Sequence, residues 1–340
     1  MFEAGNANAA LYFVDRHCAE GRGDKVAYID ADGETTFDGL RQATDRMVGF
    51  YEGLGVPRES RVAMLVLDAI AFPVIFWGSL KAGIVPVALN TLLSTDQYRF
   101  ILGDCRARVL FVSAPLYETV APLLDGHPTI EHVFVIGGEA GGHPRFEDRL
   151  ASAPPGPAVA VTGDETAFWL YSSGSTGMPK GVIHVHSSLK GTSDTYALNV
   201  LGIREDDVVF SVAKLFFAYG LGNAMTFSLA VGATTVLFPG RPTPDAIFEV
   251  LETHRPTVFY AVPTLFAAML GAAGGGPVPG MDRVRLSVSA GEALPEEIGA
   301  RWKARHGTDI LDGVGSTEML HIFLSNVPGD VVYGTSGVPV

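Results

Sequence analysis

The sequence predicts an α/β fold made of two sheet-plus-helix halves, and three observations lead there. Short β-branched or aromatic runs alternate with helical stretches over almost the whole length, the order expected of βαβ units and mostly parallel sheets. Of the 340 residues, 47% are hydrophobic and only 18% charged, which is enough apolar material for a sizeable core. No uninterrupted apolar run reaches the roughly 18 residues of a membrane-spanning helix.

Each element follows from local residues. The stretch 62–89 is strongly apolar, but Asp68, Pro73, Lys81 and Pro86 interrupt it. It therefore resolves into a buried strand at 62–67, a helix at 69–82 and a strand at 85–89. Further strands are expected at 107–112, 133–136, 234–238, 258–260 and 286–290. Helices are expected at 36–54, 95–105, 244–254, 263–270 and 295–306, several opened by the Ser, Thr or Pro that helix starts demand. Two Pro/Gly/Ala-rich segments, 151–158 and 271–280, read as loops, and the first is expected to divide the chain into subdomains at 1–160 and 161–340. There is no evident internal repeat.

Composition excludes several function classes. The 24 Lys and Arg against 37 Asp and Glu give a formal net charge of −13, which repels phosphate backbones and anionic lipid surfaces. Neither nucleic acid nor a membrane is an expected partner. Cys18 and Cys105 make no disulfide framework and no zinc or redox motif, and Met1 to Asn6 shows no basic n-region before an apolar run. A reducing cytoplasm is the expected compartment.

The strongest chemical signal is Tyr171-Ser172-Ser173-Gly174-Ser175-Thr176-Gly177-Met178-Pro179-Lys180-Gly181, set between apolar runs ending at Leu170 and starting at Val182. Three glycines let backbone N–H groups converge on an anion, four hydroxyls add donors, and Lys180 supplies a point charge. It is not a Walker A loop, because the Gly-Lys-Ser/Thr order is missing and an apolar run follows. The string resembles the signature loop of the acyl-adenylate-forming enzymes: acyl- and aryl-CoA ligases, luciferases and peptide-synthetase adenylation domains.

Two further motifs follow in the order that resemblance requires. Ser289-Ala290-Gly291-Glu292-Ala293-Leu294-Pro295 is similar to the family segment that packs against adenine, and its strand ending in small residues would let a flat purine lie on backbone. A plain strand-to-helix turn, with Pro295 opening the helix, is equally compatible. Leu311-Asp312-Gly313-Val314-Gly315-Ser316-Thr317-Glu318-Met319 is similar to another diagnostic stretch. The resemblance implies that ATP meets Ser172, Ser173, Gly174, Ser175, Thr176, Gly177, Lys180, Ala290, Gly291, Glu292, Asp312, Gly313, Gly315 and Thr317. It further implies that Glu318, with Thr176, holds Mg²⁺, a hard cation that takes carboxylate and hydroxyl oxygens. Adenylation needs no side-chain nucleophile: the substrate carboxylate attacks the α-phosphorus and pyrophosphate leaves, so the protein aligns and neutralises anions. Lys180, Thr317, Glu318 and Phe217 are the residues expected to act there.

The acid is expected between Lys214 to Gly222 and the segment after Glu318. Phe217 holds the place of the residue that gates the carboxylate in the family, while Ala218-Tyr219 and His321-Ile322 resemble the pocket of benzoate-type CoA ligases. Small Ala218, Gly222 and Gly315 would leave a thin slot, with Tyr219 and Ile322 facing an aromatic ring. The aromatics of 216–219 are equally compatible with core, and His321 with either a ring hydroxyl or a backbone cap. His184 and His186 read as structural, and His254 and His306 sit near helix C-termini, where positive charge is welcome.

The resemblance thus implies a large N-terminal adenylate-forming domain of two subdomains, with an aryl carboxylate, ATP or AMP, and coenzyme A as small-molecule partners. A homodimer is compatible with it. The C-terminal domain that carries the bridging lysine in the family has no counterpart in these residues, so this chain by itself is expected to adenylate weakly at best. Three alternatives remain: a medium- or long-chain acyl-CoA ligase, a carrier-protein-loading adenylation domain, and a non-catalytic nucleotide-binding module. No Asp within 216–222 is placed to meet a substrate amino group, as a peptide-synthetase domain usually requires.

Overall fold

The computed structural model describes residues 5–172 and 178–340. It contains two units, Met1–Lys25 with Thr35–Ser188 and Val26–Glu34 with Leu189–Val340. Among the described residues no helix is long and apolar enough to cross a membrane.

The first unit is built on a six-stranded sheet in the order His132–Ile136, Val109–Ser113, Arg61–Leu65, Val85–Ala88, Thr166–Ser172 and Lys180–Val185. The pairs are parallel except the last, which is an antiparallel hairpin. Its helices start where the residues instruct them to. Thr36 caps Phe37–Leu54 by accepting the Gly39 N–H at 3.1 Å, and Gly55 ends that helix at φ 66°. Ser94 and Gln97 form a capping box on Thr95–Cys105. The Phe37–Leu54 and Ala71–Lys81 helices cross closely, since a Cβ at Gly78 would lie 2.3 Å from Met47 Cβ. Lys81, one of the interruptions of the apolar stretch, is fully buried there, with its ammonium 2.5 Å from Asp15 Oδ1 and 2.6 Å from Asp45 Oδ1. A buried ammonium needs such partners, because desolvation alone would neutralise it.

The second unit holds a nine-stranded sheet, in the order Val338–Pro339, Ile322–Ser325, Ile310–Gly315, Leu286–Ser289, Val258–Ala261, Val208–Ser211, Thr234–Val236, Val26–Asp30 and Gly33–Thr36. The run from Ile310–Gly315 to Val26–Asp30 is parallel, and Ile322–Ser325 and Val338–Pro339 are antiparallel additions. Helices Pro244–His254, Pro263–Ala272 and Glu296–His306 accompany it, and Phe266 meets Trp302 edge-on at 4.7 Å in a core shared with Phe259 and Ile310. Parallel register sets Ser289, the last residue of its strand, beside Asp312, after which the neighbouring strand runs on to Gly315. Ligands of open α/β sheets bind outside the carboxyl ends of the strands.

The division of the chain differs from the expected boundary at 160. The strands Thr166–Ser172 and Lys180–Val185 complete the first sheet, so the flanks of the glycine-rich loop lie in the first unit. The Pro/Gly-rich segment 151–158 is no linker between halves. It runs back over the first unit's helices: Gly156 N–H donates to Asp45 O at 2.8 Å, and a Cβ on Gly49 would meet Pro154 O at 2.1 Å.

Candidate functional site

In the first unit the hairpin pairs Tyr171 with Gly181 and Ser172 with Lys180. Of the expected phosphate contacts, Ser173, Gly174, Ser175, Thr176 and Gly177 lie outside the described residues. Their flanks are fastened from outside the hairpin. The Tyr171 hydroxyl donates to Asp104 Oδ2 at 2.5 Å, and its ring covers Gly181, where a Cβ would sit 3.3 Å from Tyr171 Cζ. Burial, with the Asp104 carboxylate adding to it, pushes the phenol pKa up. Lys180 stands exposed at the start of the second strand. Nothing in the sequence marks Asp104 as a partner of this hairpin, because it comes from the last turn of Thr95–Cys105.

The second unit gathers its candidates at the carboxyl ends of the parallel strands. After Leu286–Ser289 the chain turns through Ala290, Gly291, Glu292 and Ala293; Gly291 has φ 92°, a conformation that glycine supplies without strain, and Gly291 and Glu292 are exposed. The following helix begins at Glu296, with Pro295 just before it. Asp312 is buried, and its Oδ2 accepts from Leu294 N–H at 3.5 Å, tying this turn to the neighbouring strand. Burial pushes the Asp312 carboxyl up, opposed by the Ser289 hydroxyl and the Leu294 and Gly313 N–H groups. The Asp312 carbonyl is held by Asn326, which donates its N–H at 2.9 Å and its Nδ2 at 3.2 Å. Asn326 also donates to Thr335 O at 2.8 Å and accepts the Val332 N–H at 2.8 Å, so one buried amide fastens three segments.

Beyond Asp312 the chain makes a tight reversal. Met319 N–H donates to Ser316 Oγ at 3.1 Å and Leu320 N–H to Thr317 O at 3.1 Å, leaving Glu318 exposed on the turn. Leu320 is buried at φ 65°, which costs a non-glycine residue on the order of 1 kcal/mol. That strained step delivers His321 into the interior.

His321 is fully buried among rings: Phe227 at 4.5 Å, Tyr196 at 5.4 Å and Tyr219 at 5.5 Å. Burial depresses its pKa to about 3, the Tyr219 carbonyl pulling only weakly the other way, so the imidazole is neutral at pH 7. Its Nε2 lies 3.2 Å from Tyr219 O and 3.1 Å from Asn223 Oδ1. Tyr219, in the short helix Ala218–Leu221, donates its hydroxyl to Val288 O at 3.1 Å and Ala261 O at 3.3 Å, laying its ring across the ends of two strands. Burial raises its phenol well above the ordinary value, so it remains a donor.

The glycines are used differently from the expected slot. A Cβ on Gly222 would sit 2.3 Å from His321 Cδ2, and one on Gly315 would sit 2.5 Å from His321 O. Their missing side chains therefore admit His321. Gly313 likewise gives room to Ile322, whose Cγ2 would be 2.8 Å from an added Cβ. Ala218 is buried beside Phe217, and Phe217 is 46% exposed, a large apolar side chain open to solvent. Val314 and Met319, which the residue pattern did not single out, are exposed on the same motif.

The remaining histidines are structural or peripheral. His184 stacks on Phe168 at 4.9 Å, and His186 opens the helix after its strand, accepting the Ala9 N–H on Nδ1 at 3.2 Å. Burial lowers the His186 pKa to about 4. His254 and His306 do end their helices, but burial lowers both pKa values and works against a charge there.

Comparison with known proteins bears on the whole of this arrangement. Residues 15–340 match the AMP-binding enzyme family. The chain is 49% identical to the 4-hydroxybenzoate–CoA/benzoate–CoA ligase of Rhodopseudomonas palustris, covering 98% of this chain and 62% of that protein. It is 52% identical to the benzoate–CoA ligase of Thauera aromatica, with 98% and 63% covered. Among solved structures, a benzoate CoA ligase from Burkholderia xenovorans LB400 superposes with a TM-score of 0.90 at 46% identity, over 98% of this chain and 66% of that one. The anthranilate CoA ligase AuaEII in complex with anthranoyl-AMP gives 0.94 at 38% identity, with 98% and 64% covered. The chain thus spans somewhat under two thirds of the length of these relatives.

Proposed function

The chain belongs to the AMP-binding enzyme family, and we propose that it is the acid- and nucleotide-binding part of an aryl-acid–CoA ligase acting on benzoate or a hydroxybenzoate. The reaction is carboxylate plus ATP to acyl-adenylate and pyrophosphate, followed by CoA plus acyl-adenylate to the thioester and AMP. The observation that carries the reading is the Tyr219–His321 arrangement: two flat rings fixed at the carboxyl ends of a parallel sheet, with Phe217 exposed on the adjoining turn. Relatives named as 4-hydroxybenzoate/benzoate and benzoate CoA ligases support it at 49% and 52% identity.

In this reading Ala290, Gly291, Glu292, Asp312, Gly313 and Gly315 border the adenine and ribose. Lys180 and the loop hydroxyls Ser172, Ser173, Ser175 and Thr176 are the first unit's candidate phosphate contacts, and Thr317 is the second unit's. Phe217, Ala218, Tyr219, Gly222, His321 and Ile322 surround the acid. Glu318, exposed on its turn, offers the carboxylate oxygen that a hard cation takes and would hold Mg²⁺, which would neutralise phosphate charge; Thr176, outside the described residues, is the first unit's candidate Mg²⁺ ligand. The residues themselves need only bind, orient and shield, since the nucleophile is the substrate's own carboxylate. The two free cysteines and the net charge of −13 support a cytoplasmic setting without nucleic-acid partners.

Calorimetric titration of the chain with benzoate, 4-hydroxybenzoate and octanoate, in the presence of ATP and Mg²⁺, tests the proposal. Selective uptake of an aromatic acid that is lost in Tyr219→Ala is the expected result. Preference for octanoate would replace the aromatic acid with an alkyl chain, and AMP binding without any acid or pyrophosphate exchange would leave only a nucleotide-binding module.

A further inference from the structure

We propose that Asn223 is a specificity-determining positioning residue: together with the Tyr219 carbonyl it holds the His321 proton on Nε2 and leaves Nδ1 as an acceptor that favours an aromatic acid carrying a hydroxyl or amino donor. The inference rests on the reading that His321 borders the acid. Its starting point is Tyr219 O, 3.2 Å from Nε2. A carbonyl oxygen only accepts, so Nε2 carries the hydrogen. That in turn leaves the Asn223 amide one admissible orientation, with Oδ1 facing Nε2 at 3.1 Å and Nδ2 facing Ser211 Oγ at 3.4 Å. Ser211 Oγ passes its own hydrogen to Ala213 O at 3.3 Å, so its lone pairs are free to accept from Asn223. Every link in this chain from Ser211 to His321 has a single direction.

The ring cage of Phe227, Tyr196 and Tyr219 keeps the imidazole neutral, and the second nitrogen is therefore bare. His321 Nδ1 is buried and has no hydrogen-bond partner among the described residues. A buried acceptor left unmet is costly, and a site that can hydrogen-bond a hydroxyl rejects an analogue lacking the hydrogen. A ring fluorine has nearly the size of a hydroxyl but offers Nδ1 only another lone pair. Asn223 lies in the apolar run Leu221 to Phe227, is itself fully buried, and touches the ligand in no step of the argument; it acts through His321.

Long-range ¹H–¹⁵N correlation of the histidine rings in this chain reads the tautomer. Calorimetry on the same chain, with ATP and Mg²⁺, reads the affinity ratio of hydroxybenzoate to fluorobenzoate for the 2-, 3- and 4-isomers. The wild type is expected to show Nε2–H and, for at least one isomer, a hydroxyl preference of about tenfold, equivalent to about 1.4 kcal/mol. In Asn223→Ala the Nε2 hydrogen keeps only one of its two acceptors, the Tyr219 carbonyl, so an Nδ1–H form appears beside Nε2–H and that ratio falls below about threefold. Asn223→Asp keeps an acceptor in place and restores both signals, and it decides the matter with the wild type if the alanine variant does not fold. An Nδ1–H wild type, or equal hydroxy and fluoro affinities at all three positions in a chain that binds benzoate, overturns the inference. A chain that takes no aromatic acid overturns the underlying reading instead, whatever the tautomer.

Discussion

The two ends of the second unit's sheet treat buried polar atoms in opposite ways. At the amino end, Asp207 is saturated. Its Oδ1 accepts from Thr257 Oγ1 at 2.7 Å and Arg285 Nε at 2.9 Å, and its Oδ2 from Arg204 N–H at 2.8 Å and Arg285 Nη2 at 2.5 Å. At the carboxyl end, His321 Nδ1 is buried without a partner among the described residues, Leu320 sits at positive φ, and Phe217 faces outward. All four of these bonds to Asp207 hold the starts of three strands in register. The carboxyl end withholds bonds and tolerates strain, as expected where a ligand is to complete the set. Under the proposed function, the polarity at the amino end is structural and that at the carboxyl end serves the acid.

The most damaging way to break the comparison is Asp207→Asn. Removing one partner of a buried ion pair costs about 3–5 kcal/mol, read by urea unfolding at pH 7. The pH dependence carries a sign. Burial pushes the Asp207 carboxyl up, but Arg285, Thr257 and the Arg204 N–H together hold it below the ordinary value. Its contribution is therefore complete above the unfolded value near ~4 and fades as pH falls through the lower folded one. The gap between wild type and variant should narrow in acid; a gap constant from neutrality to about pH 3 would mean that the pair is not what stabilises this end.

Gly222→Ala probes the other end. Overpacking against His321 costs about 1–3 kcal/mol in unfolding. Because the new Cβ would land 2.3 Å from Cδ2, the ring must move, and aromatic-acid affinity should fall at least about tenfold. An unchanged affinity would remove His321 from the acid site. The smallest effect belongs to Tyr219→Phe, which removes a donor from two strand-end carbonyls and should cost about 1 kcal/mol. A loss comparable to that of Asp207→Asn would show that this end is structural too.

Much of the fold is legible in the residues. Thr36, Ser94, Thr243 and Pro263 open helices where expected, and Thr95–Cys105 and Pro244–His254 end where the pattern does. Helix starts are written in single capping side chains. Short strands are not: the edge strand Gly33–Thr36 is polar and half exposed, and the interior strand Val208–Ser211 has only four residues after a charged turn, so neither carries a periodic signal. The contact boundary after Ser188 differs from the composition break at 151–158, because a proline-rich composition says where a chain bends and not what it packs on. The three motifs could be read because chemistry restricts their residues. Asn223, Asn326 and Asp104 could not, because each acts on a partner distant in sequence, and a lone polar residue in an apolar run or helix end says nothing of its partner.

The strand Val26–Asp30 belongs to the second unit although it precedes nearly all of the first. It pairs with Thr234–Val236, and the Thr234 hydroxyl donates to Val26 O at 2.7 Å across 208 positions of sequence. On a ribosome adding about 5–20 residues each second, that strand emerges some ten seconds or more ahead of its mate. Its pairing closes a very long loop, which places it among the late and slow events of folding. It also limits dissection: a fragment started at Leu189 would leave the Thr234–Val236 edge bare, ready to recruit a strand from another molecule.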